Sequence, residues 1–430
     1  MEKINICEGV NLTFIPGKKF KNSGISFTMF TPLCKEEAAK NTVLCGLLSR
    51  SCAKYPSFTE LNKKLEELYG ASLESSVAKL GDIQALTLSA CSINDVFSID
   101  SESIFSETTK LLCEMIFNPD LSAGTFKEEN FNQEKREVIE ALEAEYNDKK
   151  KYAAKRCEKL MCGSEKFGIS KYGEIEDIKE LTPKEVFKSW EKLLKTAKIE
   201  IIIIGSAAWE PIAEEFKKRF SNIKREKGVN LENEVIKKAG ELKSHTDNAE
   251  VVQSKLVMGF RTDINNQDDS KKINAMRLSL ALFGGTVHSK LFLNVREKLS
   301  LCYYCSAEYN SHKGIMFVQS GVEKKNIEKA KEEILKQLED VKLGNFTDED
   351  LKANRMAIIQ SIEKTNDSLS ALANFYISKL FSTYKQTPEE VIKDIKEITK
   401  DEIMRSAEKI SLDTIYELTS KDQNNKEDNL

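Results

Sequence analysis

The chain repeats itself at a distance of about half its length, and this repetition limits the folds that it can adopt. The sequence DIKELTPKEV at residues 177–186 returns as DIKEITKDEI at residues 394–403, with six of ten positions identical. A second pair, REVIEALEAEYND at 136–148 and RMAIIQSIEKTND at 355–367, has nearly the same separation. Similar segments that recur in the same order indicate duplicated domains. The sequence therefore predicts one arrangement of elements that is built twice.

Each half predicts the same series: a strand, an apolar helix, a pair of strands around a turn, two or more helices that include a long charged one, a helix that starts at the repeated segment, and a final strand. The long helix is expected at about residues 127–161 and again at 348–381. Thr182 and Thr399 in the repeated segment are predicted helix N-caps, because a hydroxyl there can accept an unsatisfied backbone N–H. Strands and helices mixed in this way predict an α+β fold of two homologous α/β sandwich domains.

Domain boundaries follow from the repeat and from the polar stretches between its copies. A chain of 430 residues is long for one hydrophobic core. The polar segment 224–250 has no evident counterpart in the other half and is predicted to be an interdomain linker. We expect an N-terminal domain at 1–223, a homologous C-terminal domain at 251–421, and a tail at 422–430.

Composition excludes several classes of protein. The net charge of −4 is spread over both signs, without the basic stripe that binds nucleic acid. The longest aliphatic run, IEIIIIG at 199–205, is too short to cross a bilayer and is typical of a buried strand. The first residues do not resemble a signal peptide. We therefore expect a cytoplasmic protein with neither a nucleic-acid nor a membrane partner.

The ten cysteines are expected to be free thiols that pack as small apolar groups. Cys302 and Cys305 form the C-x-x-C pattern, but they lie in a strand-like run. Residues three apart on a regular strand point to opposite faces. This spacing predicts a structural role rather than a zinc site or a redox pair.

Two segments resemble the insulinase/pitrilysin zinc metallopeptidases, and most closely their mitochondrial-processing-peptidase-like bacterial branch. The sequence KYPSFTELNKKLEELYGASL at 54–73 is similar to the segment that follows the metal motif of that family. The sequence LFGGTVHSKLFLNVREKLSLCYY at 282–304 is similar to the C-terminal-domain signature, a Gly-rich turn followed by Arg-Glu-x-x-x-Leu-x-Tyr. The resemblance covers nearly the whole chain and implies two homologous half-shells.

Active members of that family carry the inverted zinc motif H-x-x-E-H on the first helix, and a further Glu ligand on a later helix. Counting back from KYPS places the motif at Thr42, Cys45 and Gly46, none of which can take the family role. The later ligand falls on Leu142, next to Glu143. The resemblance therefore implies a catalytically inactive domain with no catalytic residues, no metal ligands and no cofactor, zinc being expected only in a homologous partner.

Histidine and cysteine could offer other chemistry, but the sequence argues against it. The histidines are His245, His288 and His312, and none has a second histidine at helical spacing. His288 is expected to be a polar turn residue. Cys45 and Cys52 lie on an apolar helix and are expected to be core thiols rather than nucleophiles or soft ligands.

The C-terminal signature is intact. By resemblance, Arg296 and Tyr303 hold the substrate backbone or stabilise the oxyanion, as fixed donors can. Two alternatives stay open: Arg296 pairs with a nearby carboxylate, and Tyr303 packs between sheet and helix. A one-residue shift would give the role to Tyr304. Gly284 and Gly285 form the turn, and a role in chain reversal alone accounts for them at least as well as a role in ligand binding.

These observations lead to a functional hypothesis with alternatives. The first is a non-catalytic subunit of a bacterial processing peptidase, which pairs with a zinc-bearing homologue and helps to bind a peptide or small protein substrate. The second is an inactive scaffold or a peptide-binding homodimer with no proteolytic role. The third is an autonomous thiol enzyme, which would require a histidine base near a cysteine.

Overall fold

The structure is a computed structural model that describes residues 1–99 and 102–420. The predicted tail at 422–430 lies outside the described residues. The strands are β1 (Glu2–Cys7), β2 (Val10–Pro16), β3 (Asn22–Pro32), β4 (Ser72–Leu80), β5 (Ile83–Ile93), β6 (Leu121–Ser122), β7 (Thr125–Phe126), β8 (Lys198–Gly205), β9 (Lys243–Asn248), β10 (Ser254–Arg261), β11 (Cys302–Asn310), β12 (Ile315–Val322) and β13 (Ser411–Thr419). The helices are α1 (Lys35–Arg50), α2 (Phe58–Glu67), α3 (Ile104–Phe117), α4 (Glu128–Asn147), α5 (Lys149–Met161), α6 (Ile175–Glu180), α7 (Pro183–Thr196), α8 (Glu210–Phe220), α9 (Ser270–Leu280), α10 (Ile327–Lys342), α11 (Asp348–Thr365), α12 (Leu369–Ser378), α13 (Pro388–Glu397) and α14 (Lys400–Ala407).

The described chain forms two compact units, and neither is one continuous stretch of sequence. Segment 143–168 belongs to the second unit although it lies in the first half of the sequence, and segment 367–377 belongs to the first unit. The contiguous ranges 1–223 and 251–421 therefore describe only the larger part of each unit. The first unit comprises Met1–Leu142, Ile169–Glu232 and Asp367–Ile377, and the second comprises Glu143–Gly168, Asn233–Asn366 and the described residues from Ser378 onward.

The two sheets repeat one strand order. The first reads β4-β5-β3-β8-β2-β1, and the second reads β11-β12-β10-β13-β9. In each sheet one neighbouring pair is parallel, β2 with β8 and β9 with β13, while the other pairs are antiparallel. The duplication is thus visible strand by strand, and the first unit adds β1 at its edge.

The predicted linker at 224–250 is partly wrong, because β9 lies inside it. This strand is exposed on alternate residues and pairs along its whole length with β13. Its place in the strand order is that of β2, so the segment does have a counterpart in the first unit. Sequence comparison missed it because an edge strand with one exposed face carries few apolar residues.

The repeated segment that revealed the duplication starts a helix in both units, as predicted. Thr182 accepts a hydrogen bond from the Glu185 backbone N–H, and the Glu185 side chain accepts one from the Thr182 backbone N–H. Thr399 and Glu402 make the same reciprocal pair. This capping box satisfies two donors that the first helical turn would leave free.

The predicted long helices are each two helices. α4 ends at Asn147, and the Asp148 carboxylate accepts hydrogen bonds from the backbone N–H groups of Lys150 and Lys151 to begin α5. In the second copy α11 ends at Thr365 and α12 begins at Leu369. The repeated Asn-Asp pair therefore marks a helix end and a new start, close to where the chain passes from one unit to the other.

Helices cover both faces of each sheet. One face of the first sheet packs against α1, α3, α7 and α8, and the same face of the second packs against α9, α10 and α14. The other face of the second sheet is covered by α5, through Ala153, Cys157 and Met161. The other face of the first sheet meets α12, where Leu369 lies over Gly24. Within the described residues, no helix combines the length and the apolar composition needed to cross a membrane.

A buried network of charges holds segment 143–168 in the second unit. The Arg261 guanidinium donates to the Glu165 carboxylate at 2.7 Å and to the Asp413 carboxylate at 3.1 Å. The Lys313 ammonium lies 3.2 Å from the other Glu165 oxygen. These side chains are at most 6% exposed. Burial alone would raise the pKa of Glu165, but the two cations lower it below the usual value.

We predict that Glu165→Gln destabilises the protein by about 3 kcal/mol, because it leaves two cations buried beside one carboxylate. Urea unfolding at pH 7, followed by circular dichroism, measures this loss. Because the Glu165 pKa is lowered on folding, its stabilisation is present above the unfolded pKa and disappears as the pH falls through the folded pKa. The difference between wild type and variant should therefore shrink in acid.

The matched control is Glu107→Gln, which breaks an ion pair with Lys110. The Glu107 carboxylate in this pair is 49% exposed. Such pairs contribute less than about 1 kcal/mol. Equal effects of the two substitutions would contradict the structural role of the buried network.

Candidate functional site

The first helix, α1, holds the positions at which the resemblance locates the zinc motif, and the side chains of Thr42 and Cys45 are buried within the protein. The Thr42 hydroxyl donates to the backbone oxygen of Ala38 at 2.9 Å. The Cys45 thiol is 1% exposed and points to the backbone oxygens of Ser76 and Thr87. Burial raises the pKa of the Cys45 thiol to about 12, so a thiolate nucleophile is disfavoured here.

The third position, Gly46, faces a carboxylate. An added Cβ at Gly46 would overlap the carboxylate of Glu134 on α4. The Arg50 guanidinium, one turn further along α1, donates to Glu134 at 3.0 Å and to Glu137 at 2.6 Å. Residues four apart share a helix face, so Gly46 and Arg50 together receive the Glu134 side chain. A histidine at position 46 could not enter without displacing this ion pair.

Glu134 and Arg50 are the residues that the sequence analysis missed. The position proposed for the last ligand, Leu142, packs against the hydrophobic core, and Glu143 is exposed. The only sequence signal for Glu134 is its place three residues before Glu137 on a helix that must face α1. That signal is weak, because carboxylates three apart are common on charged helices.

Gly46, Arg50 and Glu134 line an open polar cleft of about 700 Å³. Its charged side chains are Glu129, Glu134, Glu137 and Arg50. Burial raises the pKa of Glu134, and Arg50 opposes this effect. In this cleft the positive charge that pairs with the Glu134 carboxylate is therefore the Arg50 guanidinium. No group of three His, Cys, Asp or Glu side chains that could hold a metal ion occurs among residues 1–99 and 102–420.

The histidines serve local structure. His245 lies 2.9 Å from the Asp247 carboxylate. His312 is buried, its Nδ1 lies 2.9 Å from the Asn266 amide, and burial lowers its pKa to about 4. His288 is exposed in the Gly-rich turn, where its carbonyl accepts a hydrogen bond from Asn354. These settings agree with the prediction that His288 is a polar turn residue.

In the second unit, the C-terminal signature forms a compact turn between two π-helical segments, Ala281–Gly285 and Leu291–Lys298. A Cβ on Gly284 would come 2.6 Å from the Leu291 Cδ1 and 2.9 Å from the Ala307 Cβ. Glycine is therefore required there for close packing. Gly285 is exposed at the turn.

Arg296 and Tyr303, the predicted substrate-binding residues, both reach solvent. Arg296 is 40% exposed, lies over the Phe292 ring at 4.6 Å, and is 3.5 Å from the Glu297 carboxylate. Tyr303 is 67% exposed, because the pairing of β11 with β12 shifts by one residue between Cys302 and Tyr304. This bulge turns the Tyr303 side chain outward. The alternative in which Tyr303 packs between sheet and helix is therefore wrong.

Tyr304, the alternative to Tyr303, is partly buried in the second unit. Its ring lies 4.6 Å from the Lys150 ammonium and 5.8 Å from that of Lys255. Burial raises the pKa of the Tyr304 hydroxyl. Tyr304 thus packs among long side chains, and Tyr303 is the residue that presents a phenol to solvent.

The same bulge overturns the expected geometry of Cys302 and Cys305. Both thiols are buried, 8% and 4% exposed, whereas a regular strand would place them on opposite faces. Their hydrogen bond lowers the pKa of Cys302 and raises that of Cys305. The expectation of opposite faces is wrong because the bulge changes the alternation of side chains along β11.

Comparison with known proteins places this geometry in context. The chain matches the family model described as "Peptidase M16 inactive domain" over residues 180–358. It is 30% identical over 408 residues, 95% of each chain, to "Probable inactive metalloprotease YmfF" of Bacillus subtilis (strain 168). The fold is similar to that of a conserved protein from Enterococcus faecalis V583, with a TM-score of 0.89, 29% identity and 99% of both chains covered.

A protease from Helicobacter pylori has a similar structure, with a TM-score of 0.80, 16% identity, and coverage of 97% of this chain and 99% of that one. Similarity at that identity concerns the fold alone. The structural similarity, together with the shared strand order of the two sheets in this chain, confirms the predicted α+β fold class.

We predict that Gly46→Ala has opposite effects in two backgrounds. In the wild type the new methyl group displaces Glu134 from Arg50 and costs about 1–2 kcal/mol. In the Glu134→Ala background the obstacle is gone, and alanine stabilises the helix interior by about 0.5–1 kcal/mol. A double-mutant cycle in urea measures the coupling. The same effect in both backgrounds would show that Glu134 does not occupy the Gly46 surface.

Proposed function

We propose, on the premise that this chain belongs to the peptidase M16 family of insulinase/pitrilysin metallopeptidases, that it is the non-catalytic subunit of a processing peptidase. In this role it pairs with a zinc-bearing homologue and helps to bind the peptide. The chain matches the inactive-domain model of the family, and its relative YmfF carries the description of a probable inactive metalloprotease. The chain itself is a pseudoenzyme that lacks the H-x-x-E-H motif.

The observation that carries the proposal is the ion pair of Arg50 and Glu134 at the Gly46 surface. A zinc peptidase needs neutral imidazole ligands, an open coordination position and a carboxylate base. Here the guanidinium, rather than a metal, neutralises the carboxylate. The surface at which the second histidine of the motif would lie is therefore occupied by an ion pair of the protein, which supports a role in binding rather than in hydrolysis.

A surface for a peptide accompanies the closed metal position. β4 is an edge strand of the first sheet, paired on one side with β5, and its Ser75 lines the polar cleft. Edge strands offer unpaired backbone groups to which an extended peptide can add as a further strand. An added peptide would run beside the cleft, and backbone pairing would bind it without selecting a particular side chain.

In the second unit, the partly exposed Arg296 and the exposed Tyr303 support a second contact with peptide. A guanidinium and a phenol are both donors suited to a backbone carbonyl. Arg296 is steadied by the Phe292 ring and by Glu297, and Tyr303 by the bulge. Both side chains thus offer donors to solvent from constrained positions.

The test is reconstitution with a zinc-bearing M16 homologue, followed by native mass, zinc content and cleavage of a fluorogenic peptide. This chain alone should hold no stoichiometric zinc and cleave nothing. The mixture should form a one-to-one pair that contains zinc and cleaves. Zinc and cleavage by this chain alone would overturn the proposal, and a stable homodimer that ignores the homologue would favour the scaffold alternative.

The role of the two donors is tested separately in the reconstituted pair. We predict that Arg296→Ala with Tyr303→Phe lowers kcat/KM by about 30-fold, because each lost hydrogen bond to the peptide costs about 1 kcal/mol. The control is Lys298→Ala, which removes an exposed cation two residues away on the same segment. An unchanged kcat/KM in the double variant, with assembly intact, would exclude a substrate role for this pair.

A further inference from the structure

A cavity of about 600 Å³ lies in the first unit, on the sheet face that α12 partly covers. Small-molecule sites in proteins commonly have volumes of about 300–1,000 Å³. The cavity is distinct from the polar cleft at Gly46, because none of its lining residues is shared with that cleft. Its size therefore allows a ligand, and its lining decides which kind.

The floor consists of two rows of residues that run across β8, β3, β5 and β4. The middle of each row carries only small side chains, and each row is bordered by an isoleucine of β8. The rows are Ile204–Gly24–Cys91–Ser72 and Ile202–Ser26–Ser89–Glu74. Small residues at the centre leave space above the sheet, which is the physical origin of the cavity.

The roof is formed by the start of α12, from which Leu369 and Ala373 line the cavity. Leu369 lies over the Gly24 surface. Most of the lining surface is apolar. Isoleucine and leucine side chains on opposite sides of an apolar space favour an apolar occupant, which removes their surface from water.

One polar atom in the lining is unsatisfied. Ser26 is 6% exposed, and its hydroxyl has no hydrogen-bond partner among the residues that the structure describes. A buried hydroxyl normally has a partner, so an orphan on a cavity wall is a position at which a ligand polar atom can bind. The ligand should therefore carry one hydrogen-bonding atom within a mainly apolar body.

The rim does not favour a charged ligand. The exposed Lys21 and Glu74 have opposite charges, and Asp367 is paired with Lys19 at 2.9 Å. The charges around the opening therefore nearly cancel, and the rim attracts neither a cation nor an anion.

The fold itself does not require this cavity, as the second unit shows. The corresponding strands there carry larger residues, Val257, Phe317 and Tyr416, on the face that α5 covers. Met161 of α5 also fills the space above Gly259, where an added Cβ would come 2.6 Å from its sulfur. One copy of the duplicated sheet is therefore packed with protein side chains, while the other keeps an open cavity.

We infer that this cavity is a binding site for an uncharged, mainly apolar group with one hydrogen-bonding atom, which lies between Ile202, Ile204 and Leu369 and pairs with Ser26. The group can come from a free small molecule or from an apolar side chain of a peptide. The inference does not depend on the proposed subunit function, because every residue in it belongs to the first unit.

Cys91 provides a reporter, because its partly buried thiol lines the cavity. Cys7 and Cys34 are also partly buried but line other surfaces, so they are internal controls. The full chain is treated with N-ethylmaleimide, and peptide mass spectrometry follows each cysteine with time. Two probes are compared: the neutral dye N-phenyl-1-naphthylamine and the blocked peptide acetyl-Leu-Leu-Phe-amide.

We predict that at least one probe slows the alkylation of Cys91 by about fivefold or more and leaves Cys7 and Cys34 unchanged. Protection by the dye identifies a small-molecule site, and protection by the peptide alone identifies a side-chain site. If neither probe at millimolar concentration slows Cys91, or if all three cysteines slow equally, the inference is overturned.

A pair of variants tests the location. Ala373→Trp adds an indole from the roof and should abolish the dye fluorescence and the protection of Cys91. Asn374→Trp adds the same indole on the exposed neighbour of the same helix and should change neither. Circular dichroism and urea unfolding check that both variants fold. If the probes still protect Cys91 in a folded Ala373→Trp variant, the proposed location of the site is wrong. If that variant does not fold, the wild-type alkylation experiment alone tests the inference.

Discussion

The ion network of Arg261, Glu165, Asp413 and Lys313 determines how the second unit is assembled. It binds a segment from the first half of the sequence to strands from the second half, and its members are almost wholly buried. Separating the ion pairs would leave an uncompensated buried charge, so detaching segment 143–168 from the second unit has a high free-energy cost. The helix α5 that precedes Glu165 is thereby fixed on its sheet, where its apolar side chains complete the packing.

In the first unit, the helix that comes from the other half of the sequence is attached to its sheet by weaker interactions. The second sheet face of this unit is partly covered by α12, a helix from the other half of the sequence, and an ion pair joins Lys19 to Asp367, two residues before that helix begins. Both charges are more than half exposed, so this pair contributes little. Together with the small residues Gly24 and Ser26 beneath it, the looser attachment leaves room for a cavity that the second unit has closed.

The arrangement at the position of the missing zinc motif also follows from local contacts. Once position 46 is glycine, the Glu134 carboxylate can enter its space and meet Arg50, and a guanidinium supplies the positive charge. The sequence revealed that the motif was missing, but it pointed to Leu142 rather than to Glu134. The reason is that helix periodicity defines a face only to within a residue or two, whereas the choice between neighbouring side chains depends on the packing of α4 against α1.

By itself the sequence determined the duplication, the helix N-caps at Thr182 and Thr399, and the absence of the zinc motif, because each is evident from the residue types within short segments of the chain. Only the tertiary structure decided the exchange of segments 143–168 and 367–377 between units, the bulge that exposes Tyr303, and the pairing of Arg50 with Glu134. Those features join groups tens to hundreds of residues apart, or depend on strand register. Contacts of that kind are selected by the packing of the whole core, which no local pattern encodes.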